Sequence, residues 1–554
     1  MMWTSSLVPT FSRSEVLLYP EIPITMHKIV PLILVGLFLT PLVGAEVLEN
    51  GDRKQQMTAP TITVFNVRDY GATGNGTTMD TEALQKAIDA AAQAGGGVVR
   101  FPPGRYLSGS LDLKSHITLN IEKNAVLLGS TRKQDYRRLD MTGRHNFHAL
   151  LLAYRQEEIA ITGGGTIDGQ GTALAADTER LAKEGVIPDA REAQRPTIIH
   201  FRECTQVTVR NLTIRNSACW VQEYRNCDRL TIENITVNSI AARNNDGIDI
   251  DGCSNVVVRH CDIDSEDDGI CLKSVENPCK DVLVEKCRVR SSCNAIKFGT
   301  ASEKGFINIT IRDMEVYDTY LSGIALEIVD GGKMENVNIS RVKITGTHNA
   351  LFIRLGHRNI TGAVGTLHGV LLSDITAEIP DLPWPKHMTK FPPSHAYRHP
   401  KLITASITGL PSHPVQDVTI RNFTLIYGGI GDRPNLKYPG IDRLDQVPEC
   451  RDAYPESKMF GTLPAWGFYC RHAEGITFDN VTLRLQGKDY RPALVCDDVK
   501  NLLLNGFQIR SVTGGEPLIV LKDVNGAIIR DSRPSFGVRE FIHQIGETQN
   551  VQKQ

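Results

Sequence analysis

Carboxylates and amines crowd into one stretch of this 554-residue chain. Asp246, Asp249 and Asp251 lie in NNDGIDID, and Asp267, Asp268 and Lys273 in EDDGICLK. Asn294 and Lys297 follow in CNAIKFG, Glu327 in SGIALEI and Arg354 in NALFIRL. Neighbouring carboxylates separate their proton affinities, leaving one as an acid and another as a base. Inverting hydrolysis of a glycosidic bond uses such a pair about 6.5–9.5 Å apart, with a water between them. Outward charge on a sheet is commonly no more than a solvated face. Three aspartates opening two successive segments beside lysines are denser than solubility requires.

The elements that position these groups are short and repeated. Alternating apolar residues recur in CTQVTVRNLTIRN from Cys204, CDRLTIENITVNS from Cys227, CSNVVVRHCDIDS from Cys253 and CKDVLVEKCRVRS from Cys279. Their first inward residues are Val207, Leu230, Val256 and Val282, continued by Ile309 and Val337, at intervals of 23 to 28 residues. Later turns are read at Val418, Ile476 and Leu502. Period two means strand, and a repeat in the twenties means a solenoid. The fold class is therefore all-β, a right-handed parallel β-helix with rungs about 4.8 Å apart. Ile248, Ile270, Ile296, Ile324 and Leu351 then align inward. Asp249, Cys271, Lys297, Ala325 and Phe352 align outward, and so do Asp251, Lys273, Gly299, Glu327 and Arg354.

Apolar residues at helical spacing over 78–94, stopped by Gly95-Gly96-Gly97, predict an amphipathic helix capping the open end of the solenoid. The Pro-, Tyr- and His-rich stretch 380–466 breaks the repeat and is expected to form long loops on one flank, able to close one end of a groove. Of eight N-x-S/T sequons, among them Asn211, Asn234, Asn308 and Asn422, most sit where turns want Asn and are read as structure.

Met26-His27-Lys28, the apolar run 29–43 and Val43-Gly44-Ala45 describe a secretory signal peptide, with Met26 as a natural start. The run is too short for a usual membrane anchor, so no stable membrane insertion follows cleavage. The division expected is a signal peptide over 1–45, a linker over 46–59, one β-helix domain over 60–545 and a tail over 546–554. The protein is expected to be secreted or periplasmic. Twelve cysteines, several at equivalent repeat positions, are read as stacked buried thiols rather than a disulfide framework. A net charge of −2 gives no support to nucleic-acid binding.

The quoted motifs, with FNVRDYGATGNGTTMDTEALQKAID, GGGTIDGQG and RPTIIHFRECTQVTVRNLTIRNSACW, resemble glycoside hydrolase family 28, the polygalacturonase-like enzymes. NNDGID resembles that family's N-T-D-G-I-D and EDDGICLKS its D-D-C-I-A-I-K-S. The resemblance implies a right-handed β-helix that hydrolyses pectic polysaccharides with inversion. It implies Asp267 as general acid and Asp246 with Asp268 as the groups that activate water. It implies a polysaccharide or oligosaccharide partner, no metal and no cofactor. Lys273, Asn294, Lys297, Glu327 and Arg354 are the substrate-binding candidates. Two positions depart from the family. Asn294 replaces the His of G-H-G, and Ala325 and Glu327 replace the Arg and Lys of R-I-K, which grip a galacturonate carboxylate. Lys297 or Arg354 could take over that grip, or the sugar could be neutral, such as rhamnose. Two other readings stay open. One is a β-helix lyase with Lys297 or Arg354 as base and Ca²⁺ on the aspartates. The other is a non-catalytic glycan-binding surface protein.

Overall fold

The computed structural model describes residues 63–141, 146–381, 402–431, 437–511, 517–534 and 540–554. The expected signal peptide and linker lie outside them. Among the described residues no helix is long and apolar enough to cross a membrane.

Each strand of the repeat hydrogen-bonds in parallel to its equivalent one turn later, so the chain builds a parallel β-helix. Val207, Leu230, Val256, Val282, Ile309 and Val337 are register partners in unbroken succession. All six are at most 2% exposed. This is the expected inward column: every rung buries one β-branched or Leu side chain on the next. The ladder then runs through Val370 to Val418 and Ile476. The turn at Val370, in the strand Thr366–Ile379, stands between the expected turns at Val337 and Val418.

The helix runs Thr81–Gln93, starting three residues later and ending one residue earlier than the expected 78–94. The carboxylate of Asp80 accepts from the backbone nitrogens of Thr73 and Gly74, tying the chain down just before the helix starts. Its buried face is Leu84, Ala87, Ile88 and Ala91. A second helix, Gly171–Lys183, was not read from the sequence.

The stretch 380–466 is less loop-like than expected. It contains the strands Ala405–Thr408 and Val415–Tyr427, which extend the stack on Phe352–Arg354 and His368–Ile379. The long insertion proper follows Tyr427. Its Leu444, Val447, Phe460, Leu463 and Ala465 pack with the outward residues Ala325, Phe352, Tyr469, Val495 and Val520. The segment 549–553, expected as a tail, is a strand paired with Asn525–Ile529. All twelve cysteines are free thiols, ten of them buried.

Candidate active site

The outward columns stand as their alternation requires. Asp249, Cys271, Lys297, Ala325 and Phe352 are successive register partners, as are Asp251 with Lys273 and Glu327 with Arg354. The residues just before these strands also stack. Gly247 N donates to Asp268 O and Gly269 N to Asn294 O, each at 2.8 Å. Asp246, Asp268 and Asn294 therefore occupy equivalent places on three rungs. Glycine after each aspartate is a packing requirement. A Cβ on Gly247 would lie 2.5 Å from the carbonyl oxygen of Gly269, and one on Gly269 2.7 Å from that of Ala295.

The three aspartates have different partners. Asp246 Oδ2 lies 3.2 Å from the ammonium of Lys273, which also bonds Asp249 and sits 3.9 Å from the centroid of the Trp220 ring. Asp268 Oδ2 is 3.4 Å from the ammonium of Lys297, and its Oδ1 accepts from the side-chain and backbone nitrogens of Asn294 at 2.9 and 3.1 Å. Asp267 has the amide of Asn244 at 3.3 Å, and its Oδ1 accepts from the Asp268 backbone nitrogen at 3.0 Å. Each flanking aspartate thus meets a buried lysine directly.

Proton affinities follow this partnering. Burial pushes the Asp267 carboxyl well above the usual carboxylate range, and repulsion from Asp246, Asp268 and Glu266 adds to it. Burial would also raise Asp268, but Lys297, the Asn294 hydrogen bonds and Lys273 together hold it below its ordinary value. The cluster therefore sets a carboxyl of raised proton affinity beside one of lowered affinity, an arrangement that can serve acid–base chemistry.

The other candidates divide into buried supports and a loop anchor. Lys273 and Lys297 are 7% and 1% exposed and face aspartates. Glu327 is fully buried, with the Lys297 ammonium 3.9 Å from Oε2, and burial pushes its carboxyl up to about 8. Arg354 is not turned to the aspartates: it donates to the backbone oxygens of Gly409, Glu449 and Cys450 at 3.0, 2.7 and 3.1 Å. Asn244, Trp220 and Tyr454 were missed. Asn244 lies inside NNDGID and was legible, whereas Trp220 and Tyr454 reach the site from outside the repeated strands.

Two clusters have the donor spacing of a cation site, Asp246–Asp249–Cys271 and Asp267–Asp268–Cys293, with ligand atoms within 4.8 Å of one another. Lysine ammoniums already lie against Asp246 and Asp249 in the first and Asp268 in the second. A Ca²⁺ site of six to eight oxygens fits neither donor set.

A family model for glycosyl hydrolases family 28 matches residues 99–379. A "Probable polygalacturonase" of Vitis vinifera is 25% identical over 391 residues, covering 64% of this chain and 73% of that protein. An "Exo-poly-alpha-D-galacturonosidase" of Dickeya chrysanthemi is 28% identical over 250 residues, covering 37% of this chain and 41% of the other. Among solved structures, a family 28 exopolygalacturonase of Yersinia enterocolitica shares the fold with a TM-score of 0.62 and 20% identity, over 81% of this chain and 79% of its own.

Proposed function

The chain belongs to glycosyl hydrolase family 28, and from that membership we propose an exported, exo-acting enzyme that cleaves a pectic or related uronate- or rhamnose-containing polysaccharide with inversion. Asp267 protonates the leaving glycosidic oxygen. Asp246 and Asp268 take a proton from the water that attacks the anomeric carbon from the opposite face. The observation that carries this reading is the partnering of the aspartates: Asp246 and Asp268 each lie against a buried lysine, while raised proton affinity keeps Asp267 as an acid.

The exo mode is supported by the insertion after Tyr427, whose apolar residues cover the outward column from Ala325 onward. A groove closed on that side admits a chain end. Export is supported by the apolar run 29–43 and the small residues after it. The coil is read as right-handed and its first helix as a cap, in keeping with the hand of parallel crossovers.

The lyase alternative loses its candidate bases. Lys297 is held protonated: burial would lower its proton affinity, but Asp268 and Glu327 raise it further. Arg354 is committed to three carbonyls. The deciding experiment follows the product of a pectic oligosaccharide by NMR. A saturated sugar with inverted anomeric configuration is expected, and a 4,5-unsaturated uronate or a retained anomer would refute the proposal.

A further inference from the structure

The grip on a substrate carboxylate has to be found anew in this chain, because Ala325 and Glu327 stand where the family pattern has Arg and Lys. Neither substitute suggested by the sequence is open to a ligand. Lys297 and Arg354 are each 1% exposed, one against Asp268 and Glu327, the other on backbone carbonyls.

Two other groups are open at the same end of the site. Tyr454, on the insertion, is 57% exposed. Its ring centroid lies 5.5 Å from the Lys297 ammonium, the same ammonium that meets Asp268 at 3.4 Å. The guanidinium carbon of Arg358 is 5.8 Å from that ring. Arg358 donates to Asp330 from Nε at 2.9 Å and Nη2 at 2.6 Å. That pair fixes the plane of the fork and leaves Nη1 outside it, on a side chain 31% exposed.

We propose that Tyr454 and Arg358 form the subsite for a chain-terminal uronate, the ring of Tyr454 supporting the apolar face of the pyranose and Arg358 binding its carboxylate. The assignment rests on the pectic-hydrolase reading above. A planar guanidinium held in place suits carboxylate recognition better than a flexible ammonium. An exposed aromatic offers a sugar ring a rigid apolar platform with little ordering cost. The sugar is terminal because the insertion that carries Tyr454 also covers the next outward residues of the face, Ala325 and Phe352. Tyr454 and Arg358 thus give back from two connecting segments what the strand positions 325 and 327 lost.

Calorimetric titration with trigalacturonate and with its carboxyl-reduced counterpart tests the subsite without needing turnover. Arg358→Gln should weaken trigalacturonate binding about tenfold or more and leave the reduced ligand within about twofold. Arg358→Lys, which keeps a cation near Asp330 but loses the planar two-point fork, should show the same loss of selectivity. Tyr454→Ala should weaken both ligands, and Tyr454→Phe should restore them. Equal weakening of both ligands by the Arg358 variants, no effect of Tyr454→Ala, or no binding of trigalacturonate by the wild type would each overturn the subsite. Wild-type binding without hydrolysis would instead leave the subsite standing and remove the hydrolase reading.

Discussion

Asn294 donates both its side-chain amide and its backbone nitrogen to one oxygen, Oδ1 of Asp268, while Lys297 approaches the other. The same side chain accepts from Ser322 N at 3.1 Å through its own Oδ1, which fixes the orientation of the amide. By resemblance to the family's G-H-G motif Asn294 takes the place of His, and this chain holds Asp268 with a donor that does not titrate.

Removing that donor should therefore alter how activity responds to acid. Asn294→Ala takes away a hydrogen bond to a charged group, worth roughly 1.5–3 kcal/mol. The folded-state proton affinity of Asp268, now depressed, should rise. A base that protonates more readily is lost earlier as pH falls, so the acidic limb of the kcat/KM profile should move to higher pH. An unmoved limb would mean that Asp268 does not govern it.

Asp267→Asn should lower kcat by at least about 10²-fold, because it removes the proposed proton donor and little else. Stability provides an independent check. The folded-state proton affinity of Asp267 is raised, so the folded protein binds more protons than the unfolded chain from about pH 4 up to its folded value. Over that window wild-type stability falls as pH rises. The Asn variant has no such penalty, so its Tm advantage should grow with pH. Near-normal turnover in this variant would remove Asp267 from the role.

The columns were legible because strand alternation and repeat spacing fix them jointly: once Val207 and Leu230 are aligned, Asp249, Cys271 and Lys297 must share a face. The partners were less legible. That Lys297 turns to Asp268 rather than to solvent depends on side-chain reach across rungs. That Arg354 turns to the insertion depends on Glu449 and Cys450, distant in sequence and outside the repeat. Tyr454 belongs to the same insertion, whose course no periodicity describes.

Lys297→Ala should lower kcat/KM about equally on a uronate substrate and on its neutral counterpart. Lys297 is 1% exposed and its ammonium faces Asp268 and Glu327, so its loss acts through the protein's own carboxylates. Removing one partner of a buried pair costs about 3–5 kcal/mol of stability, so urea titration should show a lower midpoint. A loss confined to the uronate would make Lys297 a substrate ligand and contradict its burial.

The proposed exo mode predicts the course of product release. Phe352 and Tyr469, outward residues on rungs that follow Glu327, are buried by Leu444, Val447 and Phe460 of the insertion. A polysaccharide running along the outward face would have to displace that apolar cluster. At about 25 cal/mol per Å² of apolar surface exposed, such displacement is unfavourable, which favours the proposed entry of the chain by an end. Digestion of a long pectic substrate should then give one small product from the first time points, with viscosity falling slowly. A deletion of the insertion would not test this cleanly, because it would expose Phe352 and Tyr469. Substituting Phe460→Ser, at the rim of the cluster, loosens the cover and leaves the aspartates in place. Early products of mixed length from that variant, against a single early product from the wild type, are the expected contrast. Mixed early products from the wild type itself would show that the groove is open and the enzyme endo-acting.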